Sequence, residues 1–248
     1  MYRDFLNRLD SVPASKAGIS HIERYIAQSG RAVLSQCHFA LPECDPELAA
    51  TLNITLPLSV QRSVAKRQAE FIAGRYMASL SMSVLSVVEQ KVLIGSHREP
   101  LWPQDMTGAI SHTGARAVAL VAEQAVHPFV GIDVEHWLDA VTAAEIESQI
   151  CQGRELMLLI EQGLKREEAT SLIFSAKESL FKATFPLIGR YFGFESACVV
   201  EFDRTDQTLV LALEPSLARH CLGQNLFRCE CFLQASTVTT VILSSSRR

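Results

Sequence analysis

The sequence predicts an α+β fold of two halves, each with one long helix against a small antiparallel sheet, a layout open to a structural duplication. Three observations predict it. Val64, Phe71, Ala78 and Leu85 recur at seven-residue intervals within residues 59–88, and Ala65, Ile72 and Met77 widen the same side, as in an amphipathic helix. A second helical segment runs from near Lys165 through Lys182. Around both lie short β-branched or alternating runs bounded by turn residues, the pattern of strands. The halves, 1–122 and 123–248, are alike in layout and share no sequence repeat.

The elements follow in order. Residues 1 to about 55 read as a partly irregular leader, because Pro13, Pro42, Pro46 and Pro57 interrupt periodicity and only runs such as Ala32, Val33 and Leu34 suit a strand. The helix over 59–88 carries Arg62, Lys66, Arg67 and Arg75. A basic helix face is ordinarily solvated, but Arg75 stands between Gly74 and Tyr76, Met77 and Ala78, among small and apolar neighbours. Residues 95–103 form a loop by their glycine and prolines, with Trp102 as an anchor on the core. Residues 109–114 are a short apolar segment ending in Ser111, His112 and Thr113.

Residues 117–122 and 129–134 read as buried strands joined by a hairpin-length loop, hence as antiparallel neighbours. Residues 142–159 read as a helix with Thr142 as N-cap and Glu145 completing a capping box, broken near Gly153. After the second long helix, runs at 197–202, 208–213, 226–234 and 237–243 form a terminal antiparallel sheet.

Composition sets the bounds. A chain of 248 residues with 48% hydrophobic and 20% charged residues is globular, with material for a large core. A net charge of -4 gives no general affinity for nucleic acid or an anionic membrane, so any anion site is local. No window reaches the roughly 20 apolar residues of a membrane span, and residues 1–6 lead into no long apolar run, so the expectation is a soluble cytoplasmic protein. Seven cysteines without a C-x-x-C pair fit free thiols in a reducing compartment. Cys37, His38 and Cys44 lack a fourth zinc ligand at the usual spacing and read as thiols and an ordinary histidine.

The chemistry concentrates at two stretches. In Gly131, Ile132, Asp133, Val134 and Glu135, strand alternation puts both carboxylates on one face, where they need a cation, a shared proton or solvent. On the second helix Phe174, Lys177, Phe181 and Phe185 share a side, with Glu178 at its edge and Lys182 next to it. Glu178 and Lys182, at i and i+4, also suit an ordinary surface ion pair, although the phenylalanines around them make that face hard to leave in water. Asp133, Glu135 and Glu178 together would be an all-oxygen site suited to Mg²⁺. A phosphate held by such a metal calls for cations and donors, and the candidates are Arg67, Arg75, Arg98, His112, Lys177 and Lys182. No P-loop, dinucleotide-binding glycine motif, G-x-S-x-G elbow or H-E-x-x-H is present.

The two stretches resemble the signature motifs G-[IV]-D-[IV]-E and [FW]-[ST]-x-K-E-[SA]-x-x-K of the Sfp-type phosphopantetheinyl transferases. Lys66-Arg67 through Glu70-Phe71 to Gly74-Arg75, and Pro100-Leu101-Trp102-Pro103 leading to Ile110-Ser111-His112, resemble the enterobactin-synthase branch of that family. The resemblance spans about residues 60–195 and is specific through the four motifs jointly. It implies a pseudo-dimer of two similar α/β subdomains with coenzyme A in the cleft between them, and transfer of 4′-phosphopantetheine to a serine of an apo acyl, aryl or peptidyl carrier protein, with release of 3′,5′-ADP. It also implies that Asp133, Glu135 and Glu178 hold Mg²⁺ on the pyrophosphate and that His112 and Lys182 contact the phosphates. Arg67, Arg75 and Arg98 would surround the 3′-phosphate and diphosphate, with Ser111 near the nucleotide and Lys177 among the cations of the site. Glu178 or Lys182 takes the serine proton. A cleft built within one chain makes a monomer sufficient. Two other readings stand beside this one: a non-catalytic module binding coenzyme A or a carrier protein, and a Mg²⁺-dependent phosphohydrolase without a motif of its own.

Overall fold

The computed structural model describes residues 6–9, 16–41 and 43–245. Pro13 and Pro42, read above as breaks, lie outside the described residues, as do residues 1–5. The chain divides into two compact units, one ending at Pro128 and the other spanning Phe129–Ser245. No helix among the described residues is long and apolar enough to cross a membrane.

The first unit contains β1 (Leu6–Arg8), β2 (Ile19–Ala27), β3 (Ala32–Phe39), α1 (Pro46–Thr51), α2 (Leu58–Gln61), α3 (Ala65–Val84), β4 (Leu93–Ile94), β5 (Pro100–Leu101), β6 (Met106–Thr113) and β7 (Arg116–Glu123). Five strands form an antiparallel sheet in the order β1-β2-β3-β7-β6, and α3 packs on β3 and β7. Phe71, Ile72, Met77 and Ala78 of α3 are buried against Ala117, Ala119 and Val121 of β7.

The second unit contains β8 (Val130–His136), α4 (Ala140–Ile150), α5 (Gly153–Ile160), α6 (Arg166–Ile188), a 3-10 turn at Phe194–Ser196, β9 (Ala197–Asp203), β10 (Thr208–Leu213), α7 (Pro215–Ala218), β11 (Leu226–Leu233) and β12 (Thr237–Leu243). Its antiparallel sheet runs β8-β12-β11-β10-β9, with α6 lying on β8 and β12 and α4 and α5 packed against α6. Leu172, Ile173, Ala176 and Leu180 of α6 meet Phe227, Cys229, Val238 and Ile242 in one core.

Several expectations need correction. Residues 117–122 and 129–134 are both strands but not neighbours: β7 is flanked by β3 and β6, whereas β8 pairs with β12. A short loop favours a hairpin locally, but both edges of β7 are already taken, β6 having joined it through the tight turn at Gly114, where φ is +55°. Among the described residues the leader holds more regular structure than expected: β2 and β3 are full members of the first sheet, and Pro46 starts a helix capped by the Asp45 side chain, which accepts from Leu48 N. The helix over 59–88 is two helices, with Val64, now 74% exposed, as the N-cap of α3. The cap of α4 is Asp139, whose carboxylate accepts from Val141 N, Thr142 N and Thr142 Oγ1, so Thr142 is a partner of the cap and not the cap itself. The second long helix continues past Lys182 to a left-handed cap at Gly189.

Gly131 has a purpose its motif does not reveal. A Cβ there would lie 1.9 Å from the Ser179 carbonyl oxygen and 3.1 Å from Ala183 Cβ. Only a bare backbone lets α6 come this close to β8. Gly131→Ala is therefore expected to cost about 1–3 kcal/mol through forced separation of helix and strand. A lower urea midpoint at unchanged slope would register it, and an unchanged midpoint would refute the close approach.

Candidate active site

Strand β8 carries Asp133, 2% exposed, on the face toward α6, with Ile132 and Val134 fully buried on the other face. A buried carboxylate demands a positive partner. Lys182 supplies it, donating to Asp133 Oδ1 at 2.7 Å and to the Ile132 carbonyl at 3.2 Å. The ion pair of Lys182 is thus with Asp133 across the helix–strand interface, and not the helical surface pair with Glu178 weighed above. Glu178 stands one turn before Lys182 on α6, half-buried. Burial pushes its carboxyl above the ordinary range, Lys182 pulls it back, and Asp133 pushes it up again. Asp133, Glu178 and Lys182 are thereby one electrostatic group.

Glu135 lies two residues along the same strand face, half-buried. Among the described residues, no three His, Cys, Asp or Glu side chains gather as a metal-ligand set. The donor chemistry nonetheless suits a hard divalent cation. Two carboxylates close enough to raise a pKa share the positive charge of one ammonium, and every donor is oxygen.

Lys177 occupies a different place from the one the resemblance implies. Its side chain is 3% exposed and donates to the carbonyls of Ile150 (2.8 Å) and Phe194 (3.1 Å) and to Glu155 Oε2 (3.1 Å), with Glu155 Oε1 at 2.9 Å. Glu155 accepts in turn from Val199 N and Gln152 N. This buried pair joins α4, α5, the 3-10 turn and β9 to α6, and the three ammonium protons are spent inside the unit. Beside Glu178 and Lys182, Phe181 stacks on Tyr191 at 5.7 Å and packs on Phe185 and Phe192. The aromatic face expected around the charges is present.

In the first unit, Arg67 of α3 and His112 of β6 meet, with Arg67 Nη1 at 3.0 Å from His112 Nε2. Because guanidinium only donates, Nε2 accepts and the imidazole proton sits on Nδ1, which faces Glu70 Oε1 at 3.6 Å. Glu70 Oε2 is also 3.6 Å from Arg67. Glu70 is a site residue that the sequence reading missed. Its signal was the i, i+3 spacing from Arg67. Ser111 is buried beside His112 on β6.

The Arg75 guanidinium lies 4.8 Å over the Phe71 ring and donates to the Leu93 carbonyl at 3.3 Å, while its Nε is buried with no partner. Burial first and Arg67 second lower its pKa to about 10. It borders a cavity of about 660 Å³ lined in part by Ile54, Phe71, Ser79 and Leu93. Arg98 is not drawn into either group. It is exposed in the turn between β4 and β5, with φ +67°.

Two family models match the chain: the 4′-phosphopantetheinyl transferase N-terminal domain over residues 57–122, and the 4′-phosphopantetheinyl transferase superfamily over residues 129–239. Enterobactin synthase component D of Salmonella typhi is 33% identical over 187 residues, 73% of this chain and 74% of the relative. The 4′-phosphopantetheinyl transferase PptT of Mycobacterium tuberculosis is 33% identical over 172 residues, 66% of this chain and 71% of the relative.

Two outcomes follow from this geometry. Lys177→Met strands the buried Glu155 and is expected to cost about 3–5 kcal/mol of folding stability. Urea unfolding measures the loss, and full stability in the variant would mean that Lys177 is not held as described. For Glu178 the folded pKa lies above the unfolded one, so its contribution to stability is present below the unfolded carboxylate pKa and is lost as pH rises through the folded value. Glu178→Gln should therefore be more stable than the parent at neutral pH without divalent cations, with a flatter pH dependence of the unfolding free energy; equal pH profiles would contradict the raised carboxyl.

Proposed function

Because the chain belongs to the 4′-phosphopantetheinyl transferase superfamily, we propose that it transfers the 4′-phosphopantetheine group of coenzyme A to a serine of an apo carrier protein. The observation that carries this reading is Asp133 held by Lys182, with Glu178 one helical turn away, on the two matching motifs. The serine oxygen attacks the β-phosphorus of the pyrophosphate, the bond from that phosphorus to the bridging oxygen breaks, and 3′,5′-ADP leaves.

Glu178, beside Asp133 and one helical turn from Lys182, is the base that takes the serine proton. The Lys182 ammonium is a charged donor, as its bonds to Asp133 and the Ile132 carbonyl show, and this suits it to contact phosphate oxygens. Mg²⁺, held by Asp133, Glu135 and Glu178, supplies neutralising charge to the pyrophosphate when bound. Arg67, Arg75, Arg98, Ser111 and His112 serve the phosphates and nucleotide of coenzyme A, with Glu70 orienting His112. Lys177, spent on Glu155, takes no direct part.

The two units, each a long helix on a five-stranded antiparallel sheet, suit a pseudo-dimer that arose by duplication. Seven cysteines without a disulfide suit a reducing cytoplasm. The carriers are acyl, aryl or peptidyl domains of siderophore, non-ribosomal peptide, polyketide or fatty-acid assembly, and one chain is sufficient as a monomer. With Asp133, Glu178 and Lys182 all in place, a non-catalytic binding module is not favoured.

Purified protein with Mg²⁺ and coenzyme A should add the mass of phosphopantetheine to an apo carrier protein, read by intact-mass spectrometry. Glu178→Gln should lower kcat by about a hundredfold or more. No mass shift on peptidyl, aryl and acyl carriers would overturn the reading.

A further inference from the structure

A buried cluster of three hydroxyls lies between α6 and β12, and the mechanism above leaves it unused. Thr240, Ser175 and Ser179 have no exposed surface. Ser175 Oγ is 2.9 Å from Thr240 Oγ1, which is 2.8 Å from Ser179 Oγ, and Ser179 Oγ donates to the Thr240 carbonyl at 3.0 Å. One proton arrangement satisfies all three: Ser175 donates to Thr240, Thr240 to Ser179, and Ser179 to the carbonyl.

The place of this cluster matters more than its existence. In the β8–β12 ladder Thr240 is the residue directly opposite Asp133. Cross-strand partners project to the same side of a sheet with Cβ atoms about 4.5–5.5 Å apart. The side chain that grips α6 is therefore next to the carboxylate that α6 must meet. On the helix, Ser175 and Ser179 are one turn apart, and Ser179 directly follows Glu178. Beyond the polar contacts of Lys177 with α4, α5, the 3-10 turn and β9, of Lys182 with β8 and of Ser171 with Leu138, α6 is held on the sheet by apolar contacts from Leu172, Ile173, Ala176, Leu180 and Ala183. Such contacts hold a helix against a sheet but do little to choose its rotation or its position along its own axis. Gly131 sets the distance of approach and places no bond. Directional hydrogen bonds do choose rotation and position.

We propose that Thr240 is a positioning residue for the transfer reaction: gripping Ser175 and Ser179, it fixes the rotation and register of α6 so that Glu178 and Lys182 stand against Asp133. The proposal rests on the reading of Asp133 and Glu178 as the metal-holding and catalytic carboxylates.

Thr240→Val keeps the shape and removes the hydroxyl; Thr240→Ser keeps the hydroxyl. Magnesium affinity is measured by calorimetry on the protein without coenzyme A, alongside kcat, the KM for coenzyme A and the melting temperature. Thr240→Val should weaken magnesium binding by about tenfold, as loss of a supporting hydrogen bond does at other metal sites, and lower kcat similarly. Its KM for coenzyme A should stay within about twofold of the parent, and Thr240→Ser should restore magnesium binding and kcat. Wild-type magnesium affinity and kcat in Thr240→Val would overturn the proposal, leaving the hydroxyls as packing alone. If Thr240→Val does not fold, Ser175→Ala breaks the same chain of hydroxyls, and the same readouts decide. Asp133→Ala separates the two levels: unchanged magnesium affinity there refutes the metal reading itself, whereas a loss there together with a silent Thr240→Val refutes only the role of Thr240.

Discussion

The second unit depends on how one buried carboxylate is compensated. Asp133 is 2% exposed in the middle of β8, a position that would exclude a lone charge. The Lys182 ammonium makes that position tenable, and it can reach only because α6 lies closely on β8, which in turn needs a glycine at 131. Strand, glycine, helix and lysine form a single requirement. Glu178 enters at the same point: burial raises its carboxyl pKa, the ammonium lowers it and the first carboxylate raises it again.

A second buried ion pair starts from the residue just before Glu178 and does the opposite work. Lys177 faces the interior, where Glu155 and two carbonyls absorb its protons, while Glu178 and Lys182 turn toward β8. Helical geometry separates neighbouring residues by about 100°, so a motif with consecutive charged positions divides its labour between two faces. One anchors the helix to α4, α5, the 3-10 turn and β9; the other presents the chemistry.

In the first unit the same economy appears with the signs exchanged. Arg67 donates to His112 Nε2, which puts the imidazole proton on Nδ1, and Glu70 lies 3.6 Å from both side chains. His112 stands on β6 and Asp133 on β8, each the edge strand of its own sheet.

By itself the sequence determined whatever depends on neighbours along the chain. Strands 208–213 and 237–243 were legible to the residue because β-branched runs bounded by turn residues are local signals. The alternation that puts Asp133 and Glu135 on one face, the aromatic side of α6 and the two motifs were equally local. Tertiary structure decided what depends on distant partners. Nothing near β7 reveals that both of its edges are occupied, so a six-residue loop read as a hairpin where the chain instead crosses to a second sheet. Nothing in a helical wheel says which face meets a carboxylate from β8 and which meets Glu155, so Lys177 and Lys182 looked alike. The exposed Arg98 and the supporting Glu70 were unresolved for the same reason: charge is written in the sequence, but the burial and the partner that decide its use come from packing over long separations.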